Sequence, residues 1–239
     1  MRDIERYIVA IASLATPLDV EAKALATDLG NTPYEARLKL TAGLPAIVLT
    51  TTDAPAAQAL LGQLRARGHK ALAFAASSVV PAAKMVSLRR LQLDDDGLDS
   101  GDAQLPWSDV SVMVQARHRR VTETVDQVKD KKFDLGRAIA TGGMVMRKTE
   151  KREVVTRSED SEQVLYLFRS DGETPWLLRE HGTNFAGLGA ALQPIASRNF
   201  AIAVEQFRGH APDARFDDSL LRRPSVADVD LFAHVLSKI

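Results

Sequence analysis

Acid–base chemistry needs titratable groups that converge on one point. The five histidines of this chain, His69, His118, His181, His210 and His234, fall in separate predicted elements. No two stand four residues apart, the spacing that sets a zinc-binding pair on one helix face. The grouping most like a site is Glu180-His181 before Gly182, at a predicted strand end beside a glycine-rich stretch. An enzyme centred there is one reading, and a solvent-facing turn is the other. The stretch Gly182-Thr183-Asn184-Phe185-Ala186-Gly187-Leu188-Gly189 has glycines that would let backbone N–H groups approach an anion. It lacks the lysine-hydroxyl ending of a phosphate loop and the spacing of a dinucleotide fingerprint, so its glycines are expected to permit close packing. Ser161, Ser197 and Ser219 have no nucleophile-elbow context. The absence of cysteine removes thiolate ligands, cysteine nucleophiles and disulfides, and fits a reducing compartment. No catalytic residue, metal or cofactor is therefore expected.

Charge is more informative. Residues 94 to 109 hold six aspartates and no base, while residues 117 to 157 hold twelve bases against six acids, a local net charge of plus six. The basic segment includes Arg117, Arg119, Arg120, Lys129, Lys131, Lys132, Arg147 and Lys148, the candidates for contact with phosphates or an acidic partner surface. Its alternative role is a solvated insertion folded against the aspartates. Phe133 is the aromatic residue within it, so stacking on bases is not indicated. The whole chain carries thirty-one bases and thirty-one acids, which gives no general attraction to polyanions.

These residues must be positioned by a chain whose composition is that of a folded globular protein, 45% hydrophobic and 26% charged. Its length of 239 residues suits two domains. No segment approaches the roughly 20 apolar residues of a membrane span, and the mixed charges of the first six residues do not resemble a secretory signal. A cytoplasmic location is expected.

Residues 7–12 read as a strand by β-branching. Thr16-Pro17 opens a helix that closes at Gly30, with Val20, Ala24, Leu25 and Leu29 as its apolar face. Thr32-Pro33-Tyr34-Glu35 starts a second helix with a capping box, ending at Gly43. A strand at 46–50, a helix capped by Asp53 and stopped at Gly68, and a strand at 71–75 complete a β-α-α-β-α-β order. The fold expected for residues 1–80 is a small two-layer α+β sandwich. Thr16-Pro17 with Val20, Glu35-Ala36 with Gly43, and Asp53-Ala54 leading to Arg67-Gly68-His69 resemble the fold shared by ClpS-type protease adaptors and the C-terminal domain of the ribosomal stalk protein. That resemblance implies a binding function. Where the adaptor family has an Asn-Asp-rich loop and a pocket histidine, this chain has Ser13-Leu14-Ala15 and Leu40.

Residues 85–239 are expected to form a mostly-β second domain. Its elements are a strand at 85–93, a solvated aspartate loop at 94–102, and strands from Leu105, at 163–168 and at 175–179. An insertion spans 121–162, and helices run from Ser197 to His210 and from Val226 to Ile239. Leu105-Pro106-Trp107-Ser108-Asp109-Val110, the Pro175-Trp176-Leu177-Leu178 strand and Asn199-Phe200 after Pro194 resemble a bacterial pleckstrin-homology-like domain. Trp176 and Phe200 are expected in its core. The function expected is a non-enzymatic protein-binding or adaptor module with another protein as partner. The alternatives are an anion-binding protein that meets nucleic acid or phospholipid through 117–157, and an enzyme near Glu180-His181.

Overall fold

A computed structural model of the chain describes residues 4–133, 147–223 and 228–239, with the side chains of 119–160 excepted. The fold is α+β. Residues Met1–His118 and Glu162–Ile239 form one unit and Arg119–Ser161 a second.

In the first unit, β1 (Tyr7–Ser13) is an unbroken apolar run, and Ile8, Val9, Ala10 and Ile11 are all buried because both of its faces are covered. Helix α1 (Leu18–Leu29) follows and stops at Gly30, whose left-handed φ of 66° lets its N–H reach the last-turn carbonyls. Helix α2 (Pro33–Thr41) has the full capping box. Glu35 N–H donates to Thr32 Oγ1, and the Glu35 carboxylate accepts from Thr32 N–H at 2.9 Å. Strand β2 (Ala46–Thr51), helix α3 (Ala54–Ala66) and strand β3 (Lys70–Ala75) complete the segment, and Asp53 caps α3 through Ala56 N–H. The sheet order is β2-β1-β3, with both neighbours antiparallel to β1. Val9, Ile11, Val48 and Ala71 pack with Leu25, Leu40, Leu60 and Leu64 of the three helices.

Two details of α1 differ from expectation. Pro17 takes the N-cap position, and Thr16 leaves its hydroxyl buried without a partner. The buried face is Glu21, Ala22, Leu25 and Ala26, a stripe of i, i+1, i+4, i+5 spacing that turns Val20 outward.

A five-stranded sheet follows, made by β4 (Val86–Ser87), β8 (Val110–Phe133), β9 (Arg147–Arg169), β10 (Trp176–Arg179) and β11 (Arg215–Asp217), in the order β11-β8-β9-β10-β4. Side chains alternate across it with period two. Met113, Leu165, Leu167, Trp176 and Leu178 meet Phe200, Val204 and Phe207 of α4 (Ala196–His210). Val112, Val114, Val164, Tyr166 and Leu177 meet Ala233 and Leu236 of α5 (Val229–Ser237) on the other face. Helix α5 also touches β1, and its His234 ring lies 5.0 Å from Phe74 of β3. The expected start of this last helix at Val226 lies outside the described residues.

The strand expected over 85–93 is split. Leu88 and Leu91, three residues apart, are both buried, a spacing that a strand cannot place on one face. The chain therefore turns at Arg89-Arg90 and resumes as β5 (Gln92–Leu93). The aspartate loop is likewise part of a small antiparallel meander with β6 (Gly97–Asp99) and β7 (Gln104–Pro106). Leu98 in its middle is buried in the main core. Asp94 Oδ1 closes the turn by accepting from Asp96 and Gly97 N–H at 3.0 and 2.9 Å, so the acids face outward while Leu98 faces in.

In the second unit, the described backbone continues as the strands β8 and β9.

Candidate functional site

Separate predicted elements bring two sets of titratable groups together. Glu21 on the buried face of α1 and His69 after α3 are both buried. Ala15 N–H donates to His69 Nδ1 at 3.0 Å, which fixes the ring proton on Nε2, and that nitrogen lies 2.5 Å from Glu21 Oε2. Arg67 grips the same carboxylate through Nε and Nη2 at 3.0 and 2.8 Å, and Nη2 also meets Asp28 at 2.7 Å. Both oxygens of Glu21 accept from protein donors, so this network fastens the β1–α1 loop to the end of α3.

The second set is His118 at β8, Tyr166 on β9 and Asp230 on α5. Tyr166 O–H donates to Asp230 Oδ1 at 2.7 Å, and His118 Nε2 lies 2.5 Å from the same hydroxyl. Asp230 Oδ2 accepts from Ala82 N–H at 2.8 Å. Burial, reinforced by the Asp230 carboxylate, raises the Tyr166 pKa beyond the ordinary phenol range, so it stays a donor. Burial lowers the pKa of His118. Asp230 borders a hollow of about 360 Å3 with Arg6, Val79 and Leu231, but His118 and Tyr166 do not line it. The three groups hold α5 on the sheet and do not converge on that space.

His234 of α5 is buried against Phe74, 3.5 Å from Ser78 Oγ. Burial, with Lys238 adding to it, lowers its pKa from the ordinary 6.5 to about 4. A lowered folded value means that the unfolded chain takes up the proton first, so stability is present above about pH 6.5 and is lost as pH falls towards 4. His118 acts with the same sign. Thermal denaturation at a series of pH values should show the melting temperature falling across this window, and His234→Gln should flatten the fall.

Arg117 is exposed near the end of the described side chains of β8. The side chains of Arg119, Arg120, Lys129, Lys131, Lys132, Arg147 and Lys148 lie outside the described residues, although their backbone belongs to β8 and β9. The His181 side chain is 53% exposed, its Nε2 3.6 Å from Glu180 Oε1. Glu180 is engaged by Gln163 N–H at 3.0 Å. The glycine-rich stretch packs on the chain around Leu91. A Cβ on Gly187 would fall 2.0 Å from the Leu91 carbonyl oxygen, and Leu91 N–H donates to the Asn184 carbonyl at 2.8 Å. Asn199 brackets the backbone of Gln193 with both amide atoms, at 2.7 and 2.8 Å, and so fixes the approach to α4. Among the described residues, no group of three His, Cys, Asp or Glu side chains could hold a metal ion, and no helix is long and apolar enough to cross a membrane.

The α1–α2 pair has a different character. Tyr34 and Leu38, four residues apart and so on one face of α2, are 70% and 52% exposed, and Val20 of α1 is 57% exposed. Arg37 on α2 meets Asp19 of α1 at 3.3 Å beside them. The sequence reading put Val20 on the buried face of α1; it is the observed burial of Ala22, Leu25, Ala26, Ala36 and Leu40 that leaves Val20, Tyr34 and Leu38 at the surface.

No family model matches this chain, and no curated protein and no solved structure matches it either.

Proposed function

We propose that this chain is a non-enzymatic protein-binding module of the adaptor kind, and that the α1–α2 face makes the contact. The observation that carries the reading is the exposure of Val20, Tyr34 and Leu38 around the Arg37–Asp19 pair. Large apolar groups left exposed next to polar ones mark interaction surfaces, and tyrosine is enriched among residues that dominate binding energy. The resemblance of residues 1–80 to the ClpS-type and stalk-protein fold supports the same reading, with 85–239 as a second, pleckstrin-homology-like interaction unit. Titratable groups held by protein partners, as Glu21 and Tyr166 are, fit a binding role better than a reaction. The double substitution Tyr34→Ala with Leu38→Ala should leave the melting temperature nearly unchanged, because both side chains already face water. It should also reduce recovery of the partner from host extract by about tenfold or more, as each lost anchor costs more than about 1 kcal/mol. Equal recovery by the variant would remove the α1–α2 face from the reading.

A second reading, anion binding through residues 117 to 157, is supported by their net charge of plus six and by the exposed Arg117. Reversing Lys129, Lys131 and Lys132 to glutamate should then abolish binding to nucleic acid or anionic vesicles. Wild-type affinity should fall steeply with added salt, because each neutralised phosphate releases counterions. Absence of binding to either polyanion at low salt excludes this reading.

A further inference from the structure

Strand β3 is an edge of the N-terminal sheet, and its ladder leaves one residue open. Ala76 N–H donates to the Arg6 carbonyl at 2.6 Å, which sets the parity of the antiparallel pairing with β1. By that parity Leu72 and Phe74 bond to β1, whereas Ala71, Ala73 and Ala75 turn their N–H and carbonyl groups to the outer edge. Two of those three outward carbonyls are occupied. Arg65 Nε donates to Ala71 O at 3.2 Å and Ser78 Oγ to Ala75 O at 2.7 Å. Among the described residues nothing pairs with the outward N–H and carbonyl of Ala73. Edge groups left in this state accept an added strand.

On the helix-facing side of the same edge lies a hollow of about 450 Å3, lined by Tyr7 of β1, by Ala54, Pro55, Ala57 and Gln58 of α3, and by residues 73–75 of β3. The lining is mostly apolar, with four alanines and a proline among its eight residues, and Ala73 is the residue at which the edge is open. Residues paired across two strands project their side chains to the same face of the sheet. A residue bonded to Ala73 from outside would therefore direct its side chain over this hollow.

We infer that β3 takes up a short extended segment of another protein, bonded in both directions to Ala73, with a bulky apolar side chain seated between β3 and α3. Occupied carbonyls on either side limit the added strand to a few residues. A second copy of this chain paired through its own β3 would present Ala73 to Ala73, and a methyl group leaves the hollow unfilled. The size of the hollow therefore points to a foreign segment with a larger residue at the central position. This inference shares with the α1–α2 reading only the premise that the chain binds proteins.

The test selects a displayed library of short random peptides on the full chain, then measures a selected, fluorescently labelled peptide by anisotropy. The expected outcome is enrichment of alternating sequences with an aromatic or large aliphatic residue at the centre. Changing that residue to alanine should weaken binding about tenfold or more. Ala73→Pro removes the outward N–H without touching the bonds to β1, a substitution that sheet edges tolerate, and should abolish binding. Gln58→Trp, at an exposed lining position, should obstruct the hollow with the same result and keeps the test valid if the proline variant fails to fold. Tyr34→Ala with Leu38→Ala should bind the peptide normally, which separates failure at this edge from failure at the α1–α2 face. Absence of enrichment, or selected peptides indifferent to both Ala73→Pro and Gln58→Trp, overturns the inference. Concentration-dependent dimerisation abolished by Ala73→Pro also overturns it, because the edge would then belong to a second copy.

Discussion

Trp176→Ala should lower the unfolding free energy by about 3–5 kcal/mol, the range for removing a large ring from a filled core. Trp176 is 1% exposed on β10, paired antiparallel with Leu167 of β9 and parallel with Val86 of β4. Its ring shares a core with Leu178, Leu165, Phe200 and Val204, so truncation leaves a cavity where the sheet and α4 meet. Chemical denaturation should show the midpoint shifted with little change in slope. A variant of wild-type stability that had lost its partner would move Trp176 from the core to an interface.

Glu21→Ala should be comparably damaging, by about 3–5 kcal/mol, through a different mechanism. A buried charge network is costly to break because the partner left behind is desolvated and unpaired, and here the partners are the buried His69 and the partly buried Arg67. The paired substitution Glu21→Leu with His69→Phe should cost less than the sum of its two members, because it removes both buried polar groups together. Additive single effects would show that the 2.5 Å contact carries no coupling. The same comparison separates a structural fastener from a reactive centre, since the double variant should bind its partner as well as the wild type does.

Local signals were strong in the first eighty residues, and the structure places elements there close to where the sequence puts them. Gly30, the Thr32–Glu35 capping box and Asp53 act through neighbours in the chain, so their meaning does not wait on tertiary contacts. The face of α1 was less legible. Glu21 is buried only because His69 and Arg67 meet it from more than forty residues away, and its burial rotates Val20 to the surface. The aspartate run misled for a related reason, because five acids outweigh one leucine in the composition of residues 94–102, although Leu98, paired with the buried Leu105, decides which way the meander faces. His118, Tyr166 and Asp230 are separated by forty-eight and sixty-four residues, and their meeting depends on α5 packing beneath the sheet. No local pattern encodes such a meeting. A tyrosine within an apolar strand nevertheless signals that its hydroxyl will require a buried partner.

Binding of another protein by the α1–α2 face is measurable by amide hydrogen exchange of the full chain with and without its isolated partner. Protection on binding should be concentrated in residues 18–41, with slower exchange in the α2 turn that carries Tyr34 and Leu38. Protection confined to residues 117–133 and 147–157, with 18–41 exchanging as in the free protein, would contradict it and assign the contact to the basic strands.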